Sequence, residues 1–508
     1  MYKNKYCPAF LLVFLIIFTA FALNAKAVNI ITFNNFHGRL VHNESNFKYA
    51  PGINGFIIAI QKEVKNSKGG SIVVSAGNNY QGTCISVLTK GAPVNDMFKE
   101  IQLKASAVGN HEFDWGQKYF SIWEKEGDFE FLACNIINDH TGKPVVWAKP
   151  YIIENVKGIK IAFIGIATPD TVKTTSMDHI RDLTFKNPIQ LTQYWINFLK
   201  SGKAPEGKPD AIIALTHLDC TQVKIFGEIK GKLINDLCKK TKGLDAVITA
   251  DPVCGYINKI PIVQGEPFGE SLGILQLKFN QKRQLLTIIP ELSKVHFLKK
   301  VKGKQYAGTM ILKKYESITG KYSKVIGKTE SDLKAYSDSV SPLGGWLAKQ
   351  VKDRFNVQVA IINSGSLRNN LYKGKITLAE VFDVMPFTDS ITTMKIKGSE
   401  LKKIIEHGIL SPDNGFGQFY GLNIMYKPQN KYGNRILSIK LNSGQQIQDK
   451  NYYSIAVTGF MYTGGDGYSF KGAEDVKQTK VELRDVMIDS IKTHAIIKPI
   501  ELNYFTKK

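Results

Sequence analysis

The stretch Gly109-Asn110-His111-Glu112-Phe113-Asp114-Trp115-Gly116 follows the largely apolar run from Leu103 to Val108, and its reading decides the rest of the chain. A buried strand over residues 105–108 must turn sharply at Gly109, where glycine is expected for the positive φ that such turns often need. Next to it, Asn110 offers a carbonyl oxygen suited to a divalent metal. His111 and Asp114 are spaced so that a carboxylate can orient an imidazole that donates a proton. A lone Asn-His pair on a loop is more often structural than chemical. An oxygen donor, an imidazole and its carboxylate inside one octet point to chemistry.

Outward from the octet the same pattern recurs. The apolar run over residues 28–33 predicts a buried strand that delivers Asn34-Asn35-Phe36-His37-Gly38-Arg39-Leu40 at its carboxyl end, where sites collect in α/β sheets. A helical segment near residues 53–64 precedes a strand at 70–76, which ends in Gly77-Asn78-Asn79-Tyr80-Gln81-Gly82-Thr83. Strands at 161–166, 211–216 and 246–249 follow; the second feeds His217 and the third feeds Ala250-Asp251-Pro252-Val253, with helical connections such as 189–200 between them. Beyond a lysine-rich stretch at 297–328 lie a strand at 359–362 leading to Asn363-Ser364-Gly365-Ser366-Leu367-Arg368, the segment Val384-Met385-Pro386-Phe387, and a strand at 453–457 leading to Phe460-Met461-Tyr462-Thr463-Gly464-Gly465-Asp466-Gly467.

The order of these segments resembles the 5'-nucleotidase family of the calcineurin-like metallophosphoesterases over nearly all of residues 28–508. That family runs D-x-H, G-D, G-N-H-E, a lone His after a strand and G-H-x-H, then N-x-G-x-x-R, P-F and F-x-x-x-G-G-D-G in a second domain. The resemblance implies an α/β fold in which an N-terminal four-layer α-β-β-α sandwich is joined by a helix to a smaller α/β substrate-binding domain. It divides the chain into a metal-bearing domain at 28–296, a linker helix at 297–328 and a nucleotide-binding domain at 329–508. Apolar residues Ile311, Tyr315, Ile318 and Tyr322 have helical spacing in the linker, which suits equally a surface helix of either domain.

The resemblance also assigns roles. His111 would stabilise the leaving group or transition state, with Asp114 orienting it. Phe387 and Phe460 would clamp a base, by stacking worth roughly 1–3 kcal/mol per base in single-strand binders. Asp466 would accept from ribose hydroxyls, Asn363 would contact base or ribose, and Arg368 would grip phosphate through its planar fork. The metal positions fall on Asn35, His37, Asn78, Asn110, His217 and Asp251. Here the sequence departs from the family: D-x-H reads Asn35-Phe36-His37, G-D reads Gly77-Asn78, and G-H-x-H reads Ala250-Asp251-Pro252-Val253. Two divalent ions about 3.5–4 Å apart need carboxylates to hold them together, and a neutral amide bridges poorly. The expectation is at most one weakly held divalent ion, of Zn, Mn, Co or Mg. Three functional readings stay open: a phosphoesterase acting on nucleoside 5'-phosphates with a reduced metal centre, a non-catalytic binder of a nucleotide or nucleoside, and an exported scaffold with neither property.

Composition bounds these readings. The chain has 508 residues, more than the about 250–300 that a single core usually reaches, so at least two domains are expected. Hydrophobic residues make up 43% and aromatic ones 11%, which argues against long disorder. Residues 1–27 look like a cleaved export signal: Lys3 and Lys5 lead, 10–23 is apolar, and Ala25-Lys26-Ala27 is a small-x-small site. A secreted protein is expected, most simply periplasmic, with no stable membrane span after cleavage. The formal charge of +23 remains strongly basic once that segment is removed. Its lysines are scattered, so solvated surface explains them better than nucleic acid, and no nucleic-acid partner is expected. Cys84, Cys134, Cys220, Cys238 and Cys254 are odd in number and irregularly spaced, so at least one has no intrachain partner. Oligomeric state is not legible.

Overall fold

A computed structural model describes residues 26–42, 50–299, 304–409, 415–502 and 504–508. Residues 1–25 of the expected export signal lie outside the described residues. Lys26 and Ala27 open the first strand, Lys26–Phe33, opposite Phe279 and Lys278. No described helix is long and apolar enough to cross a membrane.

Two six-stranded sheets face each other. In the first, strands run in the order Leu285–Lys294, Ser271–Phe279, Lys26–Phe33, Ser71–Ser75, Leu103–Ala107 and Glu130–Leu132. In the second the order is Val253–Ile257, Ile260–Gln264, Ala246–Ile248, Ala211–Thr216, Ile159–Ile166 and Tyr151–Val156. Val28, Ile30, Val74, Ala105, Phe163, Ile213 and Ile248 from both sheets share one buried cluster. Strand Ala211–Thr216 is buried at every position, as expected for a parallel strand covered on both faces. Helices Gly52–Asn66 and Ala92–Glu100 lie over the outer face of the first sheet. Pro188–Lys200 and Lys232–Lys240 lie over that of the second. The result is the four-layer α-β-β-α sandwich.

After it comes a second α/β unit, built on a five-stranded sheet ordered Gln418–Tyr420, Val359–Ile362, Tyr452–Thr458, Ser390–Lys397 and Glu474–Glu482. Helix Gly398–Gly408 packs on one face, and Pro342–Phe355 and Leu483–His494 on the other.

The stretch 297–328 is not one helix. Its described part holds helix Ala307–Lys314, the short turns Glu316–Thr319 and Gly320–Ser323, and the start of strand Val325–Thr329. The first helix is tied to the sandwich: the Thr309 N–H donates to Asn54 Oδ1 at 3.0 Å, and Asn54 Nδ2 donates to Thr309 Oγ1 at 2.9 Å. Ile311 is buried in the first core while Tyr315 and Tyr322 pack partly against it, and Ile318 stays exposed. The apolar spacing therefore serves a segment docked on the sandwich that turns away, rather than a free-standing rod. All five cysteines of the described residues are free and buried.

Candidate functional site

Parallel strands Lys26–Phe33, Ser71–Ser75 and Leu103–Ala107 end side by side, so their trailing loops meet. Asn35, His37 and Asn78 have positive φ, at 42°, 51° and 57°. Each such non-glycine residue costs of order 1–3 kcal/mol and persists only where the surroundings impose it. Backbone bonds join the first two loops: the Asn35 N–H donates to Gly77 O at 2.9 Å and the His37 N–H to Asn78 O at 3.1 Å.

Glu112 ties the second loop to the octet. Its side chain is fully buried and accepts the N–H groups of Asn79 at 2.7 Å and of Asn78 and Gly109 at 2.8 Å. Burial raises its carboxyl above the usual range, and the three N–H donors oppose that rise. Gly109 has φ −88° and ψ 173°, so the expected positive φ is absent. Glycine is needed for space, because a Cβ there would run into Asn78 Oδ1 and Glu112 Oε2.

The octet itself forms the short turn Asn110–Phe113. His111 Nδ1–H donates to Asp114 Oδ2 at 2.8 Å, which fixes the imidazole's orientation and tautomer. The His111 ring stacks on Phe387 of the second unit, with centroids 5.7 Å apart. Gln81 Nε2 donates to Pro386 O at 2.8 Å, and the Cys84 N–H donates to Asp383 Oδ1 at 2.8 Å, so the loops of both units meet here.

Between them lies a cavity of about 330 Å³. From the sandwich it is lined by Asn110, His111 and Asp114; from the second unit by Asn363, Arg368, Phe387, Phe460 and Asp466. Eight residues expected from sequence thus share one cleft. Asn363 Nδ2 donates to Asp466 Oδ2 at 3.0 Å. Burial pushes the Asp466 carboxyl up to about 6 and lowers the Arg368 guanidinium, against the opposing pull of Asp114 and Asp466. Gly465 makes room for the Phe460 ring, whose atoms a Cβ would meet at 2.5 Å.

The other residues expected at metal positions do not line this cavity. His37 Nδ1 faces Gln81 O at 2.7 Å and His217 Nδ1 faces Ala76 O at 2.6 Å. A carbonyl only accepts, so both rings carry their proton on Nδ1. Burial lowers the His217 imidazole from its ordinary value. Asn78 Nδ2 donates to Asn110 Oδ1 at 3.1 Å, while Asn78 Oδ1 accepts the His111 N–H at 2.9 Å. Asn35 Nδ2 donates to Ala250 O at 2.9 Å. Asp251 does not face these groups freely: its Oδ2 accepts the Cys220 N–H at 2.8 Å, and burial raises its carboxyl to about 6. Val253 is the buried first residue of strand Val253–Ile257. Among the described residues no group of three or more His, Cys, Asp and Glu side chains is arranged to hold a metal ion.

Sequence reasoning missed Glu112, although it stands inside the quoted octet, because an acidic residue on a loop reads as solvated. It also missed Asp178, His179 and Asp389, which line the cleft. Nothing in their local spacing marks them, since only the tertiary fold brings them to it.

Residues 322–472 match the family described as 5'-nucleotidase, C-terminal domain. The chain is similar to the endonuclease YhcR of Bacillus subtilis (strain 168), 28% identical over 80% of this chain and 34% of that protein, so it spans about a third of that relative's length. It is similar to the 5'-nucleotidase of Vibrio cholerae serotype O1 (strain ATCC 39315 / El Tor Inaba N16961), 26% identical over 87% of this chain and 85% of the relative. In fold it resembles the crystal structure of the 5'-nucleotidase precursor from Thermus thermophilus, with TM-score 0.79 at 20% identity, covering 95% of this chain and 99% of that one. With its two-unit architecture and the matched C-terminal region, the chain is similar to 5'-nucleotidases in sequence and shares their fold.

Proposed function

We propose that this chain is a 5'-nucleotidase-type protein whose cleft binds the nucleoside part of a nucleotide or nucleoside, and whose phosphoester hydrolysis is slow or lost for want of a metal pair. The observation that carries this reading is the shared cleft. Phe387 and Phe460 offer ring faces to a base, and Asp466 and Asn363 offer polar groups to ribose. The His111–Asp114 pair stands at the sandwich side, where a leaving oxygen would take a proton from the imidazole. The nucleotidase relatives support the same ligand chemistry.

The residues at the metal positions do not fit two dications. Two such ions supply a water nucleophile and clamp phosphoryl oxygens, and they need anionic ligands to offset their mutual repulsion. Here the amide of Asn78 is spent on Asn110 and His111, and the one carboxylate, Asp251, is spent on the Cys220 N–H. The tautomers of His37 and His217 are those of metal-bound imidazoles, whose other nitrogen commonly donates to a carbonyl. At most one weakly held divalent ion suits this set.

The second reading, a binder without turnover, is favoured by the Asn78–Asn110 bond, which satisfies two candidate ligands against each other. Titrating the chain with adenosine and AMP, while phosphate release is followed with Mn²⁺, Zn²⁺ or Co²⁺, separates the two. Turnover that His217→Ala abolishes supports the hydrolase, and binding without turnover supports the binder. Failure of both ligands to bind or stabilise the chain contradicts both readings. An exported protein, periplasmic in a bacterium, is part of the proposal; the test is the N-terminal residue of the mature chain, expected to be Val28.

A further inference from the structure

Charge inside the cleft decides which form of ligand belongs there. The cavity is lined by four carboxylates, Asp114, Asp178, Asp389 and Asp466, against one guanidinium, Arg368. Arg368 already has Asp114 and Asp466 within electrostatic reach. Asp178 is paired at the rim with Arg181 and Asp114 with the His111 ring, but Asp466 and Asp389 accept from neutral donors: Asp466 Oδ2 from Asn363 at 3.0 Å, and Asp389 Oδ1 from the Phe460 N–H at 2.9 Å. Such donors satisfy the oxygens and leave the charge. A second buried guanidinium, Arg39, does not line the cavity. It lies over the Phe268 ring at 5.2 Å, with Asp383 as its charged neighbour.

A phosphomonoester brings about −1.5 to −2 charges at pH 7, and a pair of dications is what would ordinarily receive it. The residues here do not fit that pair, and the cleft has no cation to spare. The chain's charge of +23 draws anions towards its surface over long range. At the cleft the local carboxylates act at a few ångströms and with less screening, so they set the selection.

We propose that the cleft selects an uncharged nucleoside over the corresponding nucleoside 5'-phosphate. This rests on the reading of the cleft as a nucleoside site. The aromatic faces and the polar residues around Asp466 serve the base and sugar of either ligand, so the added phosphate contributes mainly repulsion.

Isothermal titration of the whole chain in EDTA with adenosine, guanosine and uridine, and with their 5'-monophosphates, tests it. The expected result is that any nucleoside that binds does so about tenfold or more tightly than its monophosphate, as like charges several ångströms apart in a partly screened site require. Asp178→Asn changes an exposed rim carboxylate and narrows that ratio by about twofold to fivefold through tighter monophosphate binding. A monophosphate that binds as tightly as its nucleoside, or a ratio untouched by Asp178→Asn, overturns the selection while leaving the nucleoside site standing. If Mn²⁺ reverses the preference, a metal supplies the missing charge and the proposal is equally overturned. Binding of neither ligand overturns the nucleoside site and the selection together.

Discussion

Asn78 Nδ2 donates to Asn110 Oδ1 at 3.1 Å, closing a bond between two residues at proposed metal positions. The bond exists because residue 78 is an amide: a carboxylate there has no proton to give and would face Asn110 oxygen to oxygen. One substitution thus removes a negative charge and also occupies a neighbouring donor.

Asn35→Asp together with Asn78→Asp is expected to raise affinity for Mn²⁺ by about tenfold or more, since even outer-shell changes shift metal affinity about 10- to 100-fold. Adding Asp251→His and Val253→His raises it further. Competition against a chelating dye measures this, and equal affinity in all variants would count against the charge argument.

Glu112→Gln replaces a carboxylate that accepts three backbone N–H groups by an amide whose nitrogen repels one of them. A loss of roughly 2–3 kcal/mol in unfolding free energy is expected, read from the urea midpoint. An unchanged midpoint would mean that the two loops hold without it.

Phe387→Ala and Phe460→Ala are each expected to weaken nucleoside binding by about fivefold to a hundredfold, from roughly 1–3 kcal/mol of stacking. Both rings are half-buried at the cleft, so the melting temperature should move little. Loss of stability with unaltered affinity would assign the rings to packing alone.

Asp466 carries a pH signature. Burial raises its carboxyl from 3.8 to about 6, so the folded state holds a proton that the unfolded state releases. Its contribution to stability is full below pH 3.8 and fades as pH rises through about 6. Relative to Asp466→Asn, the native chain should lose roughly 1–3 kcal/mol of stability across that window. Parallel stability curves for the two proteins would contradict this assignment.

Strand ends were legible because apolar runs followed by polar, glycine-bearing loops leave a local trace; residues 211–216 and 359–362 coincide with strands Ala211–Thr216 and Val359–Ile362. The cleft was legible because Phe387, Asp466 and His111 stand inside spaced motifs. The 297–328 stretch was not, since its helical spacing cannot tell a rod from a segment docked through Asn54 and Thr309. Gly109 shows the same limit: turn chemistry suggests positive φ, whereas the crowding by Asn78 and Glu112 that actually requires glycine comes in part from a loop about 30 residues away in sequence. Burial that raises Asp466, and the carboxylates gathered from four separate segments, likewise appear only once the chain is folded.

On the proposed reading these amides cannot hold a pair of dications. Elemental analysis of the chain purified without chelators, normalised to protein, decides the matter. No more than one divalent ion per chain, readily lost on dialysis, is expected; two retained ions per chain would overturn the reading.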